Sequence, residues 1–265
     1  MEWWNEKYGF FGDFYHLGDH SLYGYNTNNR MSFDQRTQIE VKWIISFLNP
    51  KQGSSFLDCP CGSGRHSIAL ANNGYKVTGV DINSKMISYK LDYQDFKENN
   101  PVFLIMDMRE LKFPDQSFDY VINMFISFGF FADDIDNQKV ASEFYRVLKP
   151  NGKLFLHLDL NYDNVINTKF SDQQNVSRVC KYNGENKILE IYEEYVSDTK
   201  RLKGSWRLFN GESEEKEYSL RIYDNDKEFI PLFKNVGFKE VYLIDPITGK
   251  SINSDSVDTI LIAKK

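Results

Sequence analysis

The run Phe56-Leu57-Asp58-Cys59-Pro60-Cys61-Gly62-Ser63-Gly64-Arg65-His66 carries the pattern richest in chemistry: a short apolar strand, a tight glycine turn and the first turn of a helix. Gly62 and Gly64 lack Cβ atoms, so the backbone there can take up positive φ and approach a ligand closely, while the following helix presents unpaired N–H groups. A carboxylate or a ribose can rest on such bare backbone. Asp81 ends the next strand, at the carboxyl edge of the sheet, where its two oxygens can accept both hydroxyls of a ribose. Glycine turn and acidic strand end together define an adenosine site. A nicotinamide-binding domain uses the same two features, but its fingerprint adds a third glycine for close helix packing, and Ser67 stands at that position here.

These residues need a scaffold that brings strand ends together. Ile39, Trp43, Ile44, Phe47 and Leu48 recur at helical spacing behind the N-cap candidates Ser32 and Asp34, until Asn49-Pro50 stops them. Strand and helix then alternate: strand 54–58, helix 65–73 closed by Gly74, strand 76–81, helix 84 to about 98, strands 102–106 and 118–124, helix 135–148, and strand 153–158 after a Pro150-Asn151-Gly152 turn. That order predicts a parallel sheet covered by helices on both faces. From Asn161 to Tyr223 the pattern becomes polar and alternating, as in Ile188, Glu190, Tyr192, Glu194 and Val196, with breaks at Asp198-Thr199-Lys200 and Asn210-Gly211. Antiparallel hairpins are expected there. A helix over 227–235, ended by Gly237, and strands 239–244 and 257–263 close the sheet edge.

The chain of 265 residues is 41% hydrophobic and 15% aromatic, enough for one elaborated domain with a full core. A net charge of −6 leaves no broad basic field for a phosphate backbone, so no nucleic-acid partner is expected. The N-terminus lacks a basic segment followed by an apolar one, and no apolar run approaches a membrane span, so a cytoplasmic protein without a membrane partner is expected. Cys59, Cys61 and Cys180 are an odd set that does not resemble a disulfide framework. One C-x-C without a second ligand cluster gives a poor tetrahedral site, and no metal is expected.

Several motifs taken in order resemble the class I S-adenosylmethionine-dependent methyltransferases. Asp58 to Gly64 resembles their acidic-glycine first motif, Asp81 their ribose-binding acid, and Asp107, after the third strand, the residue that meets the adenine amino group. Phe144-Tyr145-Arg146-Val147-Leu148-Lys149-Pro150-Asn151-Gly152 resembles the helix and turn before their fifth strand. Pro60 departs from the usual first glycine and Asn151 from another. The resemblance spans roughly 35–160 and 225–265. It implies a doubly wound, mostly parallel seven-stranded sheet with an antiparallel last strand, and an antiparallel β insertion after the fifth strand. It divides one domain into an N-terminal cap (1–33), a cofactor-binding core (34–160 and 224–265) and the insertion (161–223). The cofactor S-adenosyl-L-methionine would meet Asp58, Cys61, Gly62, Gly64, Asp81, Ile82, Asp107, Met108 and Met124. Arg36-Thr37-Gln38-Ile39-Glu40 and Gly64-Arg65-His66-Ser67 resemble a bacterial subgroup that acts on small molecules, similar to amino-sugar N-methyltransferases; there, cap and insertion form the acceptor pocket.

The segment after the fourth strand, Asn123-Met124-Phe125-Ile126-Ser127-Phe128-Gly129, lacks the Asn/Asp-Pro-Pro-aromatic element of enzymes that methylate exocyclic or side-chain amides. That argues against a DNA adenine or protein glutamine modifier, and the subgroup resemblance implies a small-molecule acceptor. His16, His157 and Tyr15, with His20 and Tyr23, are the acid–base candidates, since histidine titrates near neutrality and tyrosine can orient a nucleophile. His66 and Cys59 read as packing groups. Asp107 reads alternatively as the cap of the Asp107-Met108-Arg109 turn. A nicotinamide-dependent oxidoreductase and a non-catalytic cofactor-binding protein are the competing functions. Acceptor identity, the methylated element and a possible homodimer stay open.

Overall fold

The computed structural model describes residues 2–12, 15, 31–88, 100–166, 176–182, 185–210 and 212–265. Helix α1 (Phe33–Leu48) begins where Ser32 and Gln35 close a capping box, each side chain accepting from the other's backbone N–H. Val41, Ile44 and Leu48 form its buried stripe. The alternation follows as β1 (Ser55–Asp58), α2 (Arg65–Asn72), β2 (Lys76–Asp81), α3 (Ser84–Ser88), β3 (Val102–Ile105), β4 (Phe118–Asn123), α4 (Asp134–Val147) and β5 (Leu148–Leu158). The expected continuation of α3 towards Glu98 lies outside the described residues.

The insertion is a meander of β6 (Val176–Tyr182), β7 (Glu185–Val196), β8 (Arg201–Asn210) and β9 (Glu212–Arg221), antiparallel throughout. A π-helical turn, Asn225–Phe229, leads into α5 (Ile230–Val236), and β10 (Glu240–Ile244) and β11 (Thr259–Lys264) complete the chain. The main sheet has seven strands in the order β10-β11-β5-β4-β1-β2-β3. Strands β1 to β5 pair in parallel, and β11 runs antiparallel to both its neighbours. One boundary is corrected: β5 starts at Leu148, because Asn151 takes a left-handed φ of 64° within the strand instead of ending a separate turn.

Alternation along the strands feeds two cores. Phe56, Ile122, Phe155 and Ile260 pack with Ile44 of α1 and Leu70 of α2 on one face. Leu57, Val80, Val121 and Leu156 pack with Phe144 of α4 and Phe233 of α5 on the other, and this second core continues into Leu189, Leu202 and Leu220 of the insertion and into Trp3, Trp4 and Phe10. Order reverses between β1 and β4, so the chain segments leaving these two strands diverge and open a crevice at their carboxyl ends. Insertion and N-terminal segment roof that crevice. The Trp3 indole N–H donates to the Ser219 carbonyl at 3.0 Å. The Arg221 N–H donates to the Gly129 carbonyl at 2.8 Å, where Gly129 holds φ 104° and a Cβ would stand 2.6 Å from the Arg221 oxygen.

Candidate active site

At the end of β1 the chain crosses into the glycine turn, with the Cys61 N–H donating to the Val80 carbonyl at 2.8 Å. Gly62 (φ 53°) and Gly64 (φ 80°) both take the left-handed backbone their residue type permits. Asp81 locks the turn to β2: Oδ2 accepts from the Gly62 N–H at 2.9 Å and Oδ1 from the Asn83 N–H at 2.8 Å. Burial pushes its carboxyl up to about 6, against the pull of the Asn83 and Gly62 N–H groups. Each oxygen keeps a further lone pair, and Asp81 lines the cavity. Asp58 sits behind the turn. Fully buried, it accepts from the Ser67 hydroxyl at 2.6 Å through Oδ2, while Oδ1 has no partner among the described residues; burial raises its carboxyl to about 7. Ser67 therefore replaces the third glycine with a hydroxyl that clamps helix to strand.

A buried ionic cluster forms the floor beside this turn. Glu40, without solvent exposure, accepts from the Arg36 Nε at 3.0 Å, from the His66 Nε2 at 2.8 Å and from Arg65. Its burial favours the protonated form, but the Arg65 charge and the His66 hydrogen bond outweigh that and hold the carboxyl low. Burial and the Arg65 charge depress His66 to about 4, so its ring is neutral at physiological pH. Arg36 and Arg65 stack on the ring of Phe125 at 4.1 and 4.6 Å. Phe125 (φ 57°) and Ile126 (φ 50°) are left-handed although neither is glycine, a strained stretch held by the Ile126 N–H bond to the His157 carbonyl.

One cavity of about 370 Å³ joins these parts. Its wall runs from Cys61, Gly62 and Asp81, past Ile82, Met106 and Met108, to Trp3, Tyr15, Asp159, Glu193, Trp206 and Tyr218 under the roof. Arg36 and Arg65 line it too. Cys59 and Cys61 are free and buried, and burial raises both thiols.

Of the residues singled out in the sequence, Cys61, Gly62, Asp81, Ile82, Asp107, Met108, Met124 and Tyr15 line this cavity, whereas Asp58 and Gly64 stand behind it and shape the turn. Asp107 is held by Arg109, which donates from Nε and Nη2 to its carboxylate and from Nη1 to Asp136. The turn-capping geometry is thus present, with the carboxylate still on the cavity wall. His157 is displaced from the expected role: fully buried, its ring packs on Trp43 and Phe125, 3.6 Å from Asp258, and it does not line the cavity. His16, His20 and Tyr23 lie outside the described residues. Sequence reasoning missed Glu193, Asp159 and Tyr218 as site residues, and it read Arg36 and Arg65 only as part of a resemblance; the spacing of Arg36 and Glu40, one helical turn apart, was the available signal.

The methyltransferase domain model matches residues 57–156. Over 216 residues, covering 78% of this chain and 80% of the other, the sequence is 30% identical to the putative methyltransferase YqeM of Bacillus subtilis. The fold is similar to an S-adenosylmethionine-dependent methyltransferase from Clostridium acetobutylicum, with a TM-score of 0.70, 15% identity and coverage of 95% and 97% of the two chains. It is also similar to CalS10, an amino pentose methyltransferase from Micromonospora echinaspora, with a TM-score of 0.64, 14% identity and coverage of 89% and 92%. With the glycine turn, the acidic strand end and the switch-point crevice in place, the chain belongs to the methyltransferases.

Proposed function

We propose that this enzyme transfers a methyl group from S-adenosylmethionine to a small-molecule acceptor enclosed between the sheet edge and the roof. The observation that carries the reading is one continuous cavity, which runs from the glycine turn and Asp81 to the side chains of the insertion. Its volume falls in the range of small-ligand sites, about 300–1,000 Å³, and its outer walls are aromatic side chains of the N-terminal segment and of β8 and β9.

The residues present fit the methyl donor. Gly62 leaves the cavity wall free where a side chain would project towards Met86, and Asp81 offers lone pairs to two ribose hydroxyls. Ile82, Met106 and Met108 would flank the adenine, with Asp107 at its amino edge. Arg36 and Arg65, whose guanidinium groups line the cavity beside the turn, would draw the amino-acid carboxylate there. When bound, the donor supplies a sulfonium methyl group for in-line displacement. The chain's contribution is alignment and exclusion of water, which the roof of Trp3, Phe10 and Phe11 provides.

Calorimetric titration of stripped protein with S-adenosylhomocysteine, S-adenosylmethionine and NAD tests the reading. Binding of both adenosyl ligands, abolished or strongly weakened by Asp81→Ala and absent for NAD, is expected. Failure of both adenosyl ligands to bind would overturn it.

A further inference from the structure

The roof end of the cavity has its own chemistry. Glu193 of β7, Gly204 of β8 and Tyr218 of β9 are paired in one row across the insertion sheet. Because Gly204 has no side chain, the Tyr218 ring crosses β8, where a Cβ at residue 204 would overlap it, and its hydroxyl donates to Glu193 Oε1. Glu193 is half-buried on the cavity wall, and its Oε2 accepts from none of the described residues. Asp159, beyond the end of β5, keeps about a third of its side-chain surface, and that surface faces the cavity. It takes no hydrogen bond from the described residues; the nearest cation, Arg36, is 3.8 Å away and bonded to Glu40.

Glu193 and Asp159 both line this cavity, and beside the larger effect of burial the charge of Asp159 raises the Glu193 carboxyl. Burial raises Asp159 as well, with Arg36 and His157 opposing and Asp258 and Glu40 adding to it. Rings surround the pair: Tyr15 stacks on Trp206 at 5.9 Å with planes 8° apart, and Phe10 packs on both Trp206 and Tyr218. Two carboxylates on one cavity wall among aromatic rings suit an organic cation, which the ring faces attract as well as the charges.

We propose that the acceptor is a small ammonium-bearing molecule, held at its nitrogen by Glu193 and Asp159 and along its carbon frame by Tyr15, Trp206 and Tyr218. This rests on the reading of the cavity as a methyl-transfer site. An ammonium has no lone pair, so one proton passes to the Asp159 carboxylate. The freed pair forms the N–C bond as the C–S bond breaks, its electrons remain on sulfur, and the products are a thioether and an N-methylammonium. Asp159 then releases its proton to solvent.

The test is calorimetry at saturating S-adenosylhomocysteine, with benzylammonium, benzyl alcohol and benzoate as probes of one shape and three charges. Benzylammonium is expected to bind about tenfold tighter than either companion, the scale of one charge-assisted hydrogen bond in a buried site. Glu193→Gln, which keeps the oxygen that Tyr218 needs, and Asp159→Asn should each remove most of that preference while S-adenosylhomocysteine affinity is unchanged. Benzyl alcohol or benzoate binding as tightly, no benzylammonium binding, or a preference that survives both substitutions would overturn the proposal. Loss of S-adenosylhomocysteine binding by the unaltered protein would refute the methyl-transfer reading instead.

Discussion

Replacing Asp81 by Asn changes one charge and almost no volume, at a group that does two jobs. The carboxylate accepts from the Gly62 and Asn83 N–H groups at 2.9 and 2.8 Å and is only 8% exposed. An Asn side chain has one oxygen, so its NH2 must face one of those N–H groups, leaving a buried donor unsatisfied at a cost of about 1–3 kcal/mol. At least one ribose hydroxyl then loses a charged acceptor, worth about 1.5–3 kcal/mol, which corresponds to a ~10- to 150-fold weaker Kd for S-adenosylhomocysteine. The unaltered site should also depend on pH. With the unliganded carboxyl at about 6, the ionised form that accepts both hydroxyls is depleted below that pH, so affinity should fall as pH drops from 7.5 to 5. In Asp81→Asn this dependence should flatten. Calorimetry of both proteins across that range, with circular dichroism to confirm folding, decides the matter. A folded Asp81→Asn protein that binds within about threefold of the original would refute the ribose assignment, since that is less than the weakest such bond.

Gly129→Ala should lower stability by more than 2 kcal/mol, roughly, because it combines a strained φ of 104° with a Cβ 2.6 Å from the Arg221 carbonyl oxygen; a thermal melt checks this. Asp58→Asn should become more stabilising relative to the original as pH rises. The native carboxyl titrates near 7 against an ordinary 3.8, so the original protein loses stability through that window, by on the order of 4 kcal/mol, whereas Asn does not titrate. Urea melts of both stripped proteins at pH 5 and 8 would show it, and an identical difference at the two pH values would contradict it. Phe125→Gly removes the ring that stacks on Arg36 and Arg65 and packs on His66 and His157, which outweighs the roughly 1–2 kcal/mol gained by relieving a left-handed non-glycine. Stability should therefore fall and S-adenosylhomocysteine binding weaken, as read by melts and calorimetry together.

The division between what the sequence discloses and what it conceals follows the distance over which each feature is written. The glycine turn spans neighbouring residues, and Gly62 and Gly64 are chosen for φ values they must adopt whatever surrounds them. Asp81 is legible because its place at a strand end follows from local apolar patterning. The helix limits of α1 are equally local, set by Ser32 and Gln35. The placement of His157 is illegible for the complementary reason: in a strand buried on both faces, its residue type does not say which face it takes, and β5 turns it towards Trp43.

The acceptor end is written over longer distances still. Nothing in the isolated segments joins Glu193 to Tyr218, because their meeting requires the registers β7 to β8 and β8 to β9 to align, and an absent side chain at Gly204 between them. A strand glycine usually weakens a sheet, so its presence in the middle of β8 is itself a sign that another group needs the space. Gly204→Ala isolates that argument. Its methyl group would push the Tyr218 ring away from Glu193 without altering any charge, so the acceptor KM should rise several-fold while S-adenosylhomocysteine affinity stays constant. An unchanged KM would mean that Tyr218 only fills the roof, and that Glu193 meets its ligand without being positioned by the row.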